Sequence, residues 1–354
     1  MILCYVKKSG WTKKSGWTKS KNKFQMIIPN DKGHPWRLYK YVEYNSAVPP
    51  IGPATYLAWA KREGLSPDDC VTLAWYNSMS YCELTAVYLL YRFPIESIQS
   101  RTHIQEFWDT NKQHLVFESA RRYVKIMDWF VPLLSQYMQA TRRKPFEWLQ
   151  QVAGAGTSHE RYDRVYRELS RWRFMGRFSV ELFTDAIVQM SRDGLLGDLW
   201  FLAKDFDWKD GSNITTGVLN VFYQDEAADQ YDKNKFLSPK TQAQLPVYLQ
   251  RIQQAIKRTY PDQDSSISVI TPKLCSFRNL FKGRRYGGYH HDRQLGQLYR
   301  YQQTFPNDPL WSQLLLLRKQ IFIPSLLGEI GGWSGIRKER TKLWITEGRT
   351  GVEG

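Results

Sequence analysis

The stretch SRWRFMGRFSVELF (170–183) holds the first residues that could do chemistry. Residues three, four and seven positions apart lie on one face of a helix, so the face that carries Tyr166 and Leu169 is expected to continue to Arg173. A guanidinium on an apolar face needs a carboxylate or a phosphate, because an unpaired buried charge is costly. Arg173 is therefore expected to point inward, onto either an internal ion pair or a bound anion.

Arg177 and Glu181 follow directly after Gly176, at a spacing of four residues. Glycine interrupts a helix and allows the backbone to turn or to approach a ligand. The simpler interpretation of the pair is one salt bridge on a second helix. The alternative is that Arg173 and Arg177 together form an anion site.

The stretch FESARRYVKIMDWF (117–130) carries a second charged stripe, formed by Arg121, Lys125 and Asp128 at helical spacing. Two like charges four residues apart destabilise an isolated helix by a few tenths of a kcal/mol, and an anion lying across them would reverse that sign. The alternative is a solvated helix edge, on which Arg122 pairs with the glutamate four residues before it.

The polar stretch DFDWKDGSNITTG (205–217) is predicted to be a loop that runs into the apolar segment VLNVFY. A helix that begins near Ser212, Thr215 and Thr216 would offer free N–H groups to a phosphate or carboxylate. The stretch lacks the GxxxxGK[ST] pattern of a P-loop, and its aspartates do not have EF-hand spacing. Helix caps and turns are the simpler interpretation.

Two further segments are candidates for contact with DNA. The stretch GRRYGGYHHDR (283–293) is basic, aromatic and glycine-rich, which favours a nucleic-acid contact over a metal site. The turn Gly154-Ala155-Gly156 is similar to the Gly-x-Gly turn of a helix-hairpin-helix, although the usual leucine–proline lead-in is missing. The DNA-binding candidates in the first segment are Arg284, Arg285, His290, His291 and Arg293.

Residues 1–23 contain a tandem repeat of KKSGWT, seven lysines and no acid. Such a composition cannot bury a core and predicts a mobile basic arm. Lys13 and Lys14 would contact phosphates and Trp17 would stack on bases. The alternative is a tolerated terminal extension without a role.

The composition narrows the class of protein. The formal net charge of the 354 residues is +16, which favours an anionic partner such as nucleic acid. The aromatic content of 15% excludes disorder of the whole chain. No apolar run approaches the ~18 residues of a membrane span, and the apolar N-terminal segment is too short for a secretory signal. The four scattered cysteines indicate neither a zinc site nor a disulfide framework, so a reducing cytoplasm is expected.

The elements that must position these residues are predicted to be mainly α-helices. We expect one large helical domain over residues 24–354, with long irregular loops and few strands. Residues 35–53 are expected to be irregular, and SISVITP (266–272) is the best strand signal. The predicted helices are 54–63, 67–92 with a break, 101–113, 115–139 with a bend near Pro132, 158–173, 177–191, 242–259 and 308–320.

Four stretches together resemble a known family: YCELTAVYLLYRFP, ESARRYVKIMDWFVPLL, SRWRFMGRFSVELF and DWKDGSNITTGVLNVFYQDEAAD. They resemble the phage amino acid:DNA transferases, which are associated with α-glutamyl/putrescinyl-thymine pyrophosphorylases, over about residues 75–230. The resemblance implies action on double-stranded phage DNA in the cytoplasm of the infected bacterium, downstream of a hydroxymethyluracil DNA kinase. It also implies replacement of the (pyro)phosphate on 5-hydroxymethyluracil by an amine, most simply glycine, with putrescine or glutamate in relatives.

That chemistry suggests roles for the candidates. Departing pyrophosphate needs cations, which we assign to Arg173 and Arg177. The amine must lose a proton, and Glu181 or Asp128 is the expected general base. A flipped base needs an aromatic surface. The expected substrate contacts are Arg121, Arg122, Tyr123, Lys125, Trp172, Ser212, Thr215 and Thr216.

No cofactor is expected beyond the amine co-substrate, which is an amino acid or a polyamine, and the need for a divalent metal stays open. Two other classes compete with the transferase. One is a non-enzymatic phage DNA-binding or packaging protein, which the basic arm supports equally well. The other is a glycosylase-like enzyme that releases a modified base and needs neither an amine nor an activated methylene.

Overall fold

The computed structural model describes residues 18–20, 23–25, 36–47, 54–117, 130–202, 212–281 and 289–321. Within these ranges the chain forms fifteen α-helices and one antiparallel hairpin, so the protein is mainly α, as the sequence predicts. The elements are β1 (Thr18–Ser20), β2 (Lys23–Gln25), α1 (Trp36–Ala47), α2 (Ala54–Glu63), α3 (Pro67–Ser80), α4 (Glu83–Arg92), α5 (Arg101–Asn111), α6 (Phe130–Thr141), α7 (Pro145–Ala153), α8 (Ser158–Ser170), α9 (Arg177–Arg192), α10 (Ser212–Val221), α11 (Asp225–Asn234), α12 (Pro239–Thr259), α13 (Ile267–Phe281), α14 (Tyr289–Thr304) and α15 (Pro309–Ile321).

Helix starts follow the local sequence. Before α3, the Ser66 hydroxyl accepts the amide of Asp69 while the Asp69 carboxylate accepts the amide of Ser66, and Pro67 occupies the first turn. Thr157 and Glu160 form the same reciprocal cap before α8. These caps fix where each helix begins and therefore which residues its buried face carries.

Two predictions of irregular or extended structure are wrong. Residues 35–53 were expected to be irregular, but α1 lies within them, because Tyr41 and Val42 face the core and the Tyr41 hydroxyl donates to the Ile270 carbonyl at 3.0 Å. SISVITP was expected to be a strand, but it lies at the start of α13. Its β-branched residues pack at helical spacing, with Ile270 followed by the buried Leu274.

Several predicted helices have shifted ends. The predicted helix 115–139 is wrong at residues 115–117, which are not helical, and α6 begins at Phe130. Pro132 is the third residue of α6, and the predicted helical part at 118–129 lies outside the described ranges, so the predicted bend stays a prediction. Residues of the predicted mobile arm also have structure, since Thr18 pairs with Gln25 across the hairpin.

The described residues bury two hydrophobic cores. The larger joins α2–α9 with α14 and α15 and is rich in stacked rings, such as Trp75 on Tyr137 at 4.4 Å. The smaller joins α1 with α10–α13. In the smaller core Gly217 of α10 meets α13 so closely that a Cβ would lie 2.6 Å from the Leu274 carbonyl oxygen.

Within the described ranges, every helix is too short or too polar to cross a membrane.

Candidate functional site

Arg173 is exposed, so the prediction that it points into the core is wrong. Helix α8 ends at Ser170, and the helical spacing that placed Arg173 inward does not extend beyond that residue. Trp172 takes the inward position instead and is only 8% exposed. The chain turns between α8 and α9, and this turn directs the guanidinium outward.

Trp172 was expected to stack on a DNA base, and its environment does not support that role. Its indole packs 5.4 Å from the ring of Trp75 and 5.4 Å from that of Trp148. Its Nε1 donates to Glu168 Oε1 at 3.2 Å. The ring is part of the larger core, so a base cannot reach its face.

Arg173 lines a cleft of about 440 Å³ together with Arg101, Arg143 and Phe174. We call this cleft the arginine cleft. The three arginines come from separate segments: the first residue of α5, the turn after α6 and the turn after α8. The remaining wall is formed by α6, with Pro132, Ser135, Gln136, Met138 and Gln139, and by the start of α5, with Ser100 and Ile104.

The arginine cleft is electropositive. None of its described lining residues is acidic, and neither Arg101 nor Arg173 has an acidic partner within the described ranges. Arg143 donates to the Gln99 carbonyl at 3.1 Å, which fixes the side chain without neutralising it. The Arg173 guanidinium lies 4.8 Å from the centroid of the Phe174 ring. The cleft therefore suits an anion with several oxygens.

The N-terminus of α5 adds to this positive potential. The Ser100 hydroxyl accepts the amide of His103, and the first turn contains no acidic residue. Unpaired N–H groups and the helix dipole make such an end attractive to phosphate or carboxylate. Arg101 extends from this end into the arginine cleft.

The backbone around the cleft is strained. Arg142, Arg143 and Phe174 adopt φ values of 49°, 62° and 70°, the left-handed region that side chains with a Cβ rarely occupy. Each such residue costs about 1–3 kcal/mol and persists where the surroundings hold it. Strain of this kind is concentrated at functional sites, and two of these three residues line the cleft.

Arg177 and Glu181 form the ion pair that their spacing predicts, with 2.7 Å between Nη2 and Oε1. Gly176 is the N-cap of α9, as expected of a glycine that interrupts the helical run. The side chains are 22% and 27% exposed, so the pair is only partly open to water. The two arginines thus have different surroundings, since Arg177 faces a carboxylate and Arg173 faces the cleft.

Asp185 lies one turn beyond Glu181, and the sequence analysis did not single it out. Burial raises the pKa of its carboxyl group to about 8, and the charge of Glu181 contributes. On the neighbouring residue, the Thr184 hydroxyl donates to the Tyr162 hydroxyl at 3.2 Å. The four-residue spacing of Arg177, Glu181 and Asp185 places all three on one helical face, and this spacing could have revealed Asp185 from the sequence. We call Glu181, Asp185 and the adjoining pair of Thr184 and Tyr162 the α9 cluster.

Thr215 and Thr216 do not lie in an open loop, so the predicted site at 205–217 is wrong for these two residues. Helix α10 begins at Ser212, whose side chain lies outside the described part, and the two threonines are fully buried within it. They are therefore out of reach of a substrate at the helix start.

Other predicted site residues lie outside the described ranges or have no described side chain. His290, His291 and Arg293 lie in α14, so the stretch from Tyr289 onward is helical. The predicted residues whose structure is not described are Lys13, Lys14, Trp17, Arg121, Arg122, Tyr123, Lys125, Asp128, Arg284 and Arg285.

The Gly-Ala-Gly turn joins α7 to α8, with φ values of 58° at Gly154 and 128° at Gly156. Arg164 holds it by donating to the carbonyls of Ala153 at 2.6 Å and Ala155 at 2.5 Å. A Cβ on Gly156 would lie 2.6 Å from Glu160 Oε2, so a carboxylate already occupies the space beside the turn. That negative charge disfavours a phosphate there.

Within the described ranges, no group of three or more His, Cys, Asp or Glu side chains could hold a metal ion. Comparisons with protein-family models, with curated proteins and with solved structures find no match.

Proposed function

We propose that the arginine cleft binds phosphate groups of DNA and that the protein is a DNA-modifying transferase. In this proposal it replaces the (pyro)phosphate of phosphorylated 5-hydroxymethyluracil with an amine, glycine in the first instance. The observation that carries the proposal is the convergence of Arg101, Arg143 and Arg173 on one cleft whose described lining holds no acid. The net charge of +16 favours the same class of partner.

A diphosphate leaving group develops negative charge on several oxygens as its bond to the methylene carbon breaks. Guanidinium groups stabilise that charge through paired N–H donors, and preorganised donors need not reorient during the reaction. Arg143 is held by the Gln99 carbonyl and Arg173 by the Phe174 ring, so both side chains are partly oriented before a ligand arrives.

A second candidate is a DNA-binding protein without catalytic activity. The observation that favours it is the absence of a carboxylate or histidine among the described lining residues of the arginine cleft. A transferase needs a group that accepts a proton from the attacking amine. In the transferase, the proton-accepting residue must be one that does not belong to the described lining of the arginine cleft.

The test uses DNA that carries pyrophosphorylated hydroxymethyluracil, with labelled glycine and labelled putrescine in parallel reactions. The transferase should place label in DNA and release pyrophosphate in equal amounts, while unphosphorylated hydroxymethyluracil DNA should give no label because hydroxide is a poor leaving group. Arg173→Gln should lose most of the incorporation. Arg171→Gln is the matched control, since Arg171 is 77% exposed, pairs with Glu168 and does not line the cleft.

Three results would contradict the transferase. DNA binding without incorporation of any tested amine would leave the non-catalytic protein as the better answer. Release of free base would indicate a glycosylase-like enzyme. Equal incorporation by Arg173→Gln and the unchanged protein would show that the cleft does not hold the leaving group.

A further inference from the structure

The arginine cleft is larger than a phosphate group requires. Its volume of about 440 Å³ lies within the range of roughly 300–1,000 Å³ in which proteins bind small organic molecules. A phosphate on Arg101, Arg143 and Arg173 would fill only the part of this volume that the guanidinium groups reach. The cleft therefore has room for the group to which the phosphate is attached.

The wall beside the arginines is apolar. It is formed by Ile104, Pro132, Met138 and Phe174. Phe174 packs against the larger core, and the centroid of its ring lies 4.8 Å from the Arg173 guanidinium, so the aromatic surface adjoins the positive charge. An anion gains nothing from such a wall, whereas an aromatic ring placed against it is removed from water.

Two amide side chains add hydrogen-bonding groups to this cavity. Gln136 and Gln139 line the cleft from α6. A primary amide carries a donor and an acceptor side by side, an arrangement that the N3–H and O4 groups of a thymine or uracil ring complement. Positive charge, an aromatic wall and amide groups thus occur together, and these are the groups by which proteins hold nucleotides.

We propose that the arginine cleft binds one whole nucleotide of DNA whose base is unpaired. Its phosphate lies on Arg101, Arg143 and Arg173, and its base lies against Phe174. A base inside a duplex is covered by its neighbours on both faces and by its partner on the pairing edge, so only an unpaired base can reach the apolar wall. The inference rests on the part of the proposed function that places DNA in the cleft, and it does not depend on the transfer reaction.

The experiment is a fluorescence anisotropy titration of the full chain with three DNA probes of one sequence: a single strand, a perfect duplex and a duplex with one bulged thymidine. Because one base would stack on an aromatic side chain, the single strand and the bulged duplex should bind about tenfold more tightly than the perfect duplex. A preference for the single strand alone would restrict the ligand to single-stranded DNA, whereas a preference for both probes would include bases displaced from a duplex. Equal affinity for all three probes would overturn the inference.

Thymidine monophosphate is the competitor that tests for a free nucleotide. It lacks the neighbouring nucleotides of the strand, so it should compete only weakly with the single-stranded probe. Displacement of that probe by thymidine monophosphate at equal concentration would overturn the assignment to DNA.

Phe174→Leu keeps an apolar side chain and removes the aromatic face, so the preference for an unpaired base should fall at least about fivefold while affinity for the perfect duplex stays the same. Phe174→Tyr should keep the preference. The matched control is Phe236→Leu, because Phe236 is 62% exposed and does not line the cleft. An unchanged preference in Phe174→Leu would overturn the placement of the base on this wall. The comparison of the three probes uses the unchanged protein, so it tests the inference even if Phe174→Leu does not fold.

The two proposals fail in different ways. If amine enters DNA but the protein binds all three probes equally, the cleft does not hold an unpaired base and the proposed function stands. If the preference for an unpaired base depends on Phe174 but no amine enters DNA, the nucleotide site stands and the transferase does not.

Discussion

The arginine cleft and the α9 cluster both collect charge of one sign, but they do so in different surroundings. In the cleft, Arg101, Arg143 and Arg173 are exposed, so water solvates their charges. The energetic cost there is the backbone strain of the residues in the left-handed region. In the α9 cluster the backbone is a regular helix, and the cost is the removal of Asp185 from water. We therefore expect ligand binding in the first region to depend on salt and the stability contributed by the second region to depend on pH.

The largest effect is expected when the positive charge of the cleft is removed. Replacing Arg101, Arg143 and Arg173 together by glutamine should weaken DNA binding on the order of a hundredfold at low salt and reduce the slope of log K against log salt by about 3. The melting temperature should change little, because exposed charges contribute little to stability. Fluorescence anisotropy over a salt series measures both quantities.

The control for that experiment removes three exposed charges from α12, at Arg251, Lys257 and Arg258. If this variant loses as much DNA affinity as the cleft variant, overall charge and not the cleft determines binding.

The pH dependence of stability tests the α9 cluster. An unfolded aspartate ionises near pH ~4, but in the folded protein Asp185 keeps its proton up to about pH 8. The unfolded state therefore binds fewer protons between these values, and the contribution of Asp185 to stability falls as the pH rises from ~4 to ~8. Asp185→Asn should raise the melting temperature by several degrees more at about pH 9 than at about pH 5, as measured by thermal unfolding. An equal change in melting temperature at both pH values would show that water already solvates the Asp185 carboxylate in the folded protein.

The strain beside the cleft predicts a smaller gain in stability. Arg142 has a φ of 49°, so Arg142→Gly should stabilise the protein by about 0.5–1 kcal/mol, after the extra freedom of glycine in the unfolded chain is included. Lys144→Gly is the control, since Lys144 has a φ of −127° and gains nothing from glycine. Urea unfolding measures both variants, and equal or lower stability of Arg142→Gly would show that the turn is relaxed.

The smallest effect is expected at the edge of the α9 cluster. Tyr162→Phe removes one acceptor near the Thr184 hydroxyl, whose single hydrogen can donate to the Val180 carbonyl at 3.0 Å instead. The loss should be about 0.5 kcal/mol or less, because no buried donor is left without a partner. A double-mutant cycle with Thr184→Val measures the coupling between the two side chains, and a coupling of zero would mean that this hydrogen bond contributes nothing.

The regular part of the fold was predictable from local patterns. Helix α2 has the bounds that periodicity predicts, and α9 differs from its prediction by one residue. Helices α1 and α13 were missed, because tyrosine, proline and β-branched residues disfavour helix locally and only packing in the smaller core overrides this preference.

The arginine cleft could not be predicted in the same way. Arg173 was selected for the wrong reason, because a pattern cannot tell where α8 ends. Arg101 and Arg143 lie in other segments, and no local spacing connects them with Arg173. Their meeting depends on the tertiary packing of α5, α6 and α8, which periodicity does not describe.

The contact between Gly217 and the Leu274 carbonyl has a consequence for how this sequence can evolve. Helix α13 also carries Lys273, which donates to the Asn45 carbonyl in α1 at 2.6 Å, and Arg278, which pairs with Asp232 in α11. A larger residue at position 217 would push α13 outward and disturb both attachments together. Homologous sequences that differ from glycine at this position should therefore carry compensating substitutions along α13, a covariation that a set of related sequences would reveal.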